Sequence, residues 1–190
     1  MIVPLKPKRI RHFDVPHHAH ELTFSCYHQL PLLNNDRTRS WLAAAVHRAR
    51  ETHYFHVWAY VFMPEHVHLL LWPTQPSYST GRILQAIKQP VARRELNYRR
   101  AHGPAALERL AKGQQHAPHR FWQDGSGYDR NVTSVETLQS MVDYIHNNPV
   151  RRRLVGGPGD WQWSSFRAWT GAGDGPLAID LESFPMLPMR

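Results

Sequence analysis

The chain has 190 residues, 42% of them apolar, and its lysines and arginines outnumber its aspartates and glutamates by 23 to 15. This length suffices for one domain with a substantial core, and the net charge of +8 with seven tryptophans and seven tyrosines favours nucleic acid over an acidic membrane surface as partner. The single cysteine excludes an internal disulfide and a cysteine-type zinc site.

The first segment, residues 1–20, predicts an irregular basic arm, because it mixes three prolines with four lysines and arginines. Such an arm can be a solvated tail or can touch DNA phosphates. It lacks the apolar core of a signal peptide, and the chain has no run of about 20 apolar residues that could span a bilayer. We therefore expect a cytoplasmic protein without membrane contact.

The middle of the chain predicts a mixed α/β domain over residues 21–170. Polar and apolar residues alternate over residues 21–26, which is typical of a half-buried strand. An Asn-Asn-Asp segment then offers a helix cap, and apolar residues at helical spacing predict a helix over about 36–52. Residues 56–63 are apolar nearly throughout, which predicts a central strand.

Two histidines, His66 and His68, open the next apolar run after a Met-Pro-Glu turn. If this run is a strand, both imidazoles point to one face of the sheet. Two imidazoles side by side on a rigid strand can begin a metal site. With fourteen histidines in the chain, however, this spacing alone is weak evidence.

A basic helical region and a short strand follow. Apolar residues at helical spacing predict a helix over 81–100, which Pro90 is expected to kink or break. Its charges are nearly all positive, so that it can be a solvated face or a surface for DNA. Residues 121–123 (Phe-Trp-Gln) are predicted to form a short strand.

The next helix places two polar side chains on one flank. Thr133 and Glu136 resemble a capping box, and Pro149 is predicted to end the helix. Tyr144 and Asn148 lie one turn apart beside the apolar arc, so that a hydroxyl and a carboxamide face the same place. Taken singly, the tyrosine can be a half-buried aromatic and the asparagine a helix cap.

Two separated motifs resemble the REP-associated tyrosine transposases, a single-tyrosine group of the HUH endonucleases. The first is His66-Val67-His68 after Tyr60-Val61-Phe62-Met63-Pro64. The second, about 75 residues later, is Tyr144-Ile145-His146-Asn147-Asn148-Pro149-Val150. The resemblance covers roughly residues 21–169. The family usually has Asn where this chain has Glu65, which can tune a metal or be a turn residue; we interpret it as a turn residue.

The resemblance implies a ferredoxin-like α/β (α+β) fold, with helices packed on an antiparallel sheet. It also implies that His66, His68 and Asn148 hold one divalent ion, Mg²⁺ or Mn²⁺, at the scissile phosphate. Tyr144 would attack that phosphate to form a 5′-phosphotyrosine, and the freed 3′-hydroxyl allows later rejoining. The implied activity is transposition, and the implied substrate is single-stranded DNA with a REP-like hairpin.

Within this resemblance the basic residues are interpreted as contacts to the DNA backbone. The family tends to follow Asn-Pro-Val with Arg-Ala-Gly-Leu-Val, whereas this chain has three arginines before Leu-Val, which strengthens phosphate contact. The candidates are, in order, Arg151, Arg152 and Arg153, then Lys88, Arg93 and Arg94. Residues 171–190, rich in glycine and proline, predict a tail without its own core. Because tailed members of the resembling family can act as monomers, the resemblance favours a monomer over a homodimer.

Two other functions are compatible with the sequence. A non-catalytic DNA-binding protein derived from a transposase would share the charge and the aromatic residues without needing the tyrosine. A metal-dependent hydrolase would activate water at the histidines and leave Tyr144 structural. A covalent adduct between protein and hairpin DNA distinguishes the transposase from both.

Overall fold

The computed structural model of the chain describes residues 13–111, 119–125 and 127–185. The strands are β1 (Ala19–Ser25), β2 (Phe55–Phe62), β3 (His66–Pro73) and β4 (Tyr128–Val132). The helices are α1 (Asp36–His53), α2 (Thr80–His102), α3 (Val135–Arg151) and α4 (Phe166–Trp169). Short 3₁₀ helices cover Tyr27–Gln29, Pro104–Leu110, Pro158–Asp160 and Leu181–Ser183. In the part of the chain so described, no helix is long and apolar enough to cross a bilayer.

The four strands form one antiparallel sheet in the order β2-β3-β1-β4. Helix α1 connects β1 to β2, and α2 connects β3 to β4, so that the chain follows the β-α-β-β-α-β path of ferredoxin-like domains. The predicted fold class is confirmed. Helix α3 follows this unit in the chain and adds a further layer.

Side-chain alternation gives the sheet two covered faces. Leu22, Phe24 and Leu69 belong to the core that the sheet shares with α1 and α2. On the opposite face, Val142 and Ile145 of α3 are buried against apolar residues of β2 and β3. Burial of each such side chain stabilises the fold by about 1.5–3 kcal/mol. The face under α3 is the one that receives the histidines of β3.

Strand β2 lies at one edge of the sheet, and the prediction that it is central was wrong. Its outer edge is covered by residues from the C-terminal part of the chain. The backbone N–H of Phe62 donates to the carbonyl of Trp163, and that of Asp180 donates to the carbonyl of Val57, both at 2.8 Å. An edge strand that is covered on both faces and along its edge needs the same apolar composition as a central one.

The described part of the predicted tail packs on this same edge. Phe184 is buried and contacts the rings of Trp58 and Trp169. The indole N–H of Trp58 donates to the hydroxyl of Ser183 at 2.9 Å. The tail thus joins the core beneath α3 instead of building one of its own. Residues 1–12 of the predicted arm and 186–190 of the tail lie outside the described residues.

Two helices continue through prolines: α2 was predicted to kink or break at Pro90, and α3 was predicted to end at Pro149. Helix α2 is one element with Pro90 inside it, and α3 runs two residues past Pro149. Each proline removes one backbone donor, and the packing of the helix on its neighbours offsets that loss. At its other end, α3 is capped by Ser134, whose hydroxyl accepts from the N–H of Thr137 at 3.2 Å. The predicted cap at Thr133 was therefore one residue too early.

Strand β4 was not predicted, and the strand predicted over residues 121–123 is a single bridge between Trp122 and Cys26. The sequence of β4 is mostly polar and carries no alternation that marks a strand. Gly127 sets its start: its φ is 78°, and a Cβ there would clash with the carbonyl oxygen of Thr23. This close approach brings β4 alongside β1.

Candidate active site

His66 and His68 point to the same face of the sheet, as strand alternation predicted, and α3 packs on this face. Their Nε2 atoms lie 3.1 Å apart, and their rings are nearly perpendicular. Strand β1 pairs with β3 so that Ser25 is opposite His66 and Thr23 is opposite His68. Two ring nitrogens therefore converge on one point of the sheet surface.

Helix α3 brings an amide and a phenol to the same point. The Nδ2 atom of Asn148 lies 3.2 Å from the Nε2 atom of His68, and the Tyr144 ring centre lies 5.4 Å from that of His68. The Asn148 side chain is buried, whereas Tyr144 is 37% exposed. The structure thus brings the four predicted residues together within one chain and leaves the tyrosine accessible to a substrate.

Buried polar residues of β1 hold the far side of His68. Its Nδ1 atom lies 2.8 Å from the hydroxyl oxygen of Thr23 and 3.2 Å from the carboxylate of Glu21, and Thr23 donates to Glu21 at 2.9 Å. A carboxylate behind Nδ1 favours the tautomer that keeps its lone pair on Nε2, the form that ligates metals. Sequence reasoning missed both residues, although their alternation in β1 places them on the face of the histidines.

Glu65 holds the far side of His66. Its Oε1 atom lies 3.1 Å from Nδ1 of His66 and accepts a hydrogen bond of 2.7 Å from the guanidinium of Arg152. Burial, followed by the neighbouring His68 ring, lowers the pKa of His66. This shift favours the neutral ring, which is the form that ligates a metal. Glu65 lies in the turn before β3 as interpreted, and its carboxylate has this contact in addition.

The arrangement fits a single divalent ion. Two ligand atoms that are each about 2.1 Å from one ion, at right angles, lie about 3.0 Å from each other, close to the separation of the two Nε2 atoms. A half-turn of the Asn148 amide presents its oxygen instead of its nitrogen. Among the described residues, no cluster of three or more His, Cys, Asp or Glu side chains could hold a metal. The candidate set is two imidazoles and one amide, which leaves positions for substrate oxygens.

A cavity of about 360 Å³ opens beside these residues, within the size range of ligand pockets. It is lined by Glu21, Thr23, His68, Tyr128, Arg130, Met141 and Tyr144. Two of the four candidates, His68 and Tyr144, thus line the cavity together with an arginine and a second tyrosine from β4. A cationic and aromatic wall suits a nucleotide.

The three arginines after α3 have different surroundings. The guanidinium of Arg151 lies 5.0 Å from the ring centre of Tyr144, and Arg152 contacts Glu65. Arg153 is exposed and has a φ of 57°, at the position where the resembling family tends to have glycine. A non-glycine residue in this conformation costs about 1–2 kcal/mol. Of these three arginines, Arg151 is therefore the one that lies against the tyrosine ring.

The basic candidates of α2 lie on the other face of the sheet. The ammonium of Lys88 lies 5.8 Å from the ring centre of Phe24, and it donates to the carbonyl of Gly125 at 3.0 Å. Arg94 stacks over a tryptophan of α1, and Arg93 is exposed. The structure does not bring these three residues to the tyrosine.

Lys88 is expected to make the protein more stable against unfolding at alkaline pH than at neutral pH. Burial, followed by the charge of Arg120, lowers its pKa to about 8. Between pH 8 and the ordinary lysine pKa the unfolded state binds more protons, so that the free energy of unfolding rises with pH by at most about 3 kcal/mol. We expect the free energy of unfolding in urea, measured as wild type minus Lys88→Met, to rise between pH 7.5 and 10.5 by no more than this amount. Parallel pH profiles of the two proteins would contradict the burial of this charge.

Comparison with known proteins finds that the chain is similar to transposases. The family described as "Transposase IS200 like" matches residues 15–148. A REP-associated tyrosine transposase solved bound to a REP hairpin is 19% identical, with a TM-score of 0.65 over 96% of this chain and 99% of its own. A putative transposase from Deinococcus radiodurans R1 is 23% identical over 74% of this chain and 96% of its own, with a TM-score of 0.43. No curated protein matches the chain in sequence.

The family match covers more than half of the chain, and the matched residues include both histidines of β3, Tyr144 and Asn148. The likeness to the first solved structure shows that the two chains share a fold. The predicted resemblance is confirmed, and the chain belongs to the family of IS200-like transposases.

Proposed function

We propose that this protein cleaves and rejoins single-stranded hairpin DNA through a covalent bond between Tyr144 and a 5′-phosphate. The observation that carries the proposal is the position of an accessible phenol beside the pair of imidazoles. The ring centre of Tyr144 lies 5.4 Å from that of His68. Neither rival function requires a tyrosine at this place.

The tyrosine performs the covalent step. Its hydroxyl oxygen attacks the scissile phosphorus and loses its proton, and the bond from phosphorus to the 3′-oxygen breaks as that oxygen takes up a proton. The product is a 5′-phosphotyrosine and a free 3′-hydroxyl. Because the phosphodiester is retained in the linkage, a 3′-hydroxyl of another end can reverse the step without a nucleotide cofactor.

His66, His68 and Asn148 are the residues that would hold Mg²⁺ or Mn²⁺. A bound ion supplies Lewis acidity at the phosphate and offsets the charge of the transition state. The protein's own part is to fix the ring nitrogens. Glu21 and Thr23 do this behind His68.

The active unit in this proposal is a monomer. Helix α3 packs through Ile145 on the sheet of its own chain, so that the tyrosine and the histidines come from one polypeptide. A site completed within one chain needs no exchange of the tyrosine helix with a partner. The described part of the tail covers the edge of β2, away from the cavity beside Tyr144.

The proposed substrate is DNA with a REP-like hairpin. The solved transposase of the same fold was bound to a REP hairpin, and the net charge of +8 suits a polyanion. In this chain Arg130 and Tyr128 line the cavity beside Tyr144, and Arg151 contacts the tyrosine ring. Cations and an aromatic ring around the nucleophile can hold a phosphate and stack a base.

The experiment that tests the proposal uses labelled single-stranded hairpin DNA, Mn²⁺ and a denaturing gel. We expect a labelled band at the mass of the protein plus a DNA fragment. Cleavage without such a band would favour a hydrolase that uses water. Binding without cleavage would favour a non-catalytic DNA-binding protein.

Salt dependence tests the path of the DNA backbone. The affinity for DNA falls as salt rises, and each lost phosphate contact makes the slope of log affinity against log salt less steep by about 0.7 for single strands. Changing Arg151, Arg152 and Arg153 to alanine together should remove two contacts, because Glu65 already pairs with the middle arginine. The expected decrease is therefore about 1.4.

The matched control for this triple variant removes the same charge from the opposite face of the sheet. It changes the exposed Arg48, Arg93 and Arg94 to alanine. We expect this protein to keep the wild-type slope more closely than the first. Equal decreases in both proteins would contradict a backbone path along the end of α3.

A further inference from the structure

Glu65 joins the two halves of the candidate site. Its side chain is 13% exposed, and one oxygen, Oε1, lies 3.1 Å from Nδ1 of His66 and 2.7 Å from a guanidinium nitrogen of Arg152. Its backbone carbonyl accepts from the N–H of Cys26 at 2.8 Å, which fixes the turn that carries it. The carboxylate is thus held from both sides.

The contact with His66 completes a symmetrical support of the two imidazoles. Glu21 lies behind Nδ1 of His68, and Glu65 lies behind Nδ1 of His66, while the Nε2 atoms face each other. Partners behind the ligating histidines set ring orientation and tautomer, and their loss typically lowers metal affinity 10- to 100-fold. In the described part of the chain no side chain of β1 is hydrogen-bonded to Nδ1 of His66, so Glu65 provides its support.

Arg152 ties this support to the end of the tyrosine helix. Its backbone N–H donates to the carbonyl of Asn148 at 3.0 Å, and its side chain reaches across to Glu65. The Arg152 side chain is 57% exposed, and ion pairs at such exposure add little to stability. The ion pair therefore serves mainly to hold the turn before β3 in place next to the end of α3.

We propose that Glu65 is a positioning residue that orients His66 for metal binding, and that Arg152 acts through Glu65 instead of binding a DNA phosphate. The inference rests on the proposed function in one respect, the binding of a divalent ion by the two histidines. It separates Arg152 from Arg151 and Arg153, which the sequence places in one basic run. It also gives a role to the residue at which this chain departs from the family's usual asparagine.

The test is titration of the full-length, DNA-free protein with Mn²⁺ by calorimetry. Glu65→Ala should weaken Mn²⁺ binding 10- to 100-fold. Glu65→Gln keeps an acceptor oxygen behind the ring and should retain most of the affinity. The glutamine variant also guards against a folding defect, since it preserves the size of the side chain.

Arg152→Ala distinguishes positioning from simple electrostatics, because the two explanations predict opposite changes in Mn²⁺ affinity. Removing a cation near a metal site strengthens metal binding if only charge matters. Loss of the support for Glu65 should weaken it instead, by up to about tenfold. The double variant should bind Mn²⁺ no more weakly than Glu65→Ala, because the arginine acts through the carboxylate.

Arg48→Ala and Arg93→Ala, which remove exposed arginines from the opposite face of the sheet, are the matched controls and should leave Mn²⁺ affinity unchanged. Arg151→Ala and Arg153→Ala remove a cation without removing the support of Glu65, so they should not weaken Mn²⁺ binding. Tighter binding by Arg152→Ala, or wild-type affinity in Glu65→Ala, would overturn the inference and leave the proposed function standing. A wild-type protein that binds no Mn²⁺ would overturn both the inference and the metal part of the proposed function. These two failures are therefore distinguishable in one titration series.

Discussion

Changing Tyr144 to phenylalanine is expected to abolish the covalent adduct with hairpin DNA and to lower cleavage at least about a thousandfold. The change removes one oxygen and leaves the ring in contact with His68 and Arg151. DNA binding and thermal stability should therefore stay close to wild type. The measurement is the labelled protein–DNA band on a denaturing gel, together with a binding titration on the same substrate.

Tyr128→Phe is the matched control for this variant. Tyr128 is 51% exposed and lines the same cavity, but it belongs to β4 and not to the tyrosine helix. Its phenylalanine variant should form the adduct at close to the wild-type rate. Adduct formation by the Tyr144 variant, or loss of the adduct in both proteins, would contradict the assignment of Tyr144 as nucleophile.

Changing His68 to alanine is expected to produce the second large loss, a fall in cleavage of at least about a hundredfold. His68 is the more buried of the two histidines and is the one that contacts Asn148. Its removal takes away a ligand nitrogen and leaves the buried carboxylate of Glu21 without its imidazole partner. The carboxylate keeps its hydrogen bond from Thr23, but losing a hydrogen bond to a buried charged group costs about 1.5–3 kcal/mol, so a lower melting temperature should accompany the lost activity.

His47→Ala is the control for the histidine variant, because His47 is exposed on α1. It should keep both cleavage and stability. Raising Mn²⁺ should not restore His68→Ala to the wild-type rate, since the alanine offers no ligand. Full cleavage by His68→Ala would show that the imidazoles do not hold the catalytic ion.

The local features of the site were readable from the sequence because they follow from short-range periodicity. A period of two residues places His66 and His68 on one face of a strand, and a helical turn of 3.6 residues places Tyr144 and Asn148 on one flank. Both relations hold wherever the elements pack. The start of α1 was predicted for the same reason, since Asn35 caps its own helix.

Features that depend on distant segments were misread or missed. The apolar sequence of β2 indicates burial, but burial by a neighbouring strand and burial by the C-terminal segments leave the same pattern. Lys88 belongs to a basic helix by sequence, yet its ammonium donates to the carbonyl of Gly125 on the face of the sheet opposite Tyr144. Three successive arginines look alike in the chain, whereas the fold gives Arg151 the tyrosine and Arg152 a carboxylate.

The sequence by itself therefore determined the fold class and which side chains share a face of their own element. Only the tertiary structure decided that the two faces meet, with a ring nitrogen of β3 at 3.2 Å from the amide of Asn148. It also decided which polar groups stand behind the histidines, because Glu21 and Glu65 reach them through strand pairing and a turn. The physical reason is that periodicity fixes direction along one element, whereas contacts between elements depend on register and on the layers packed around them.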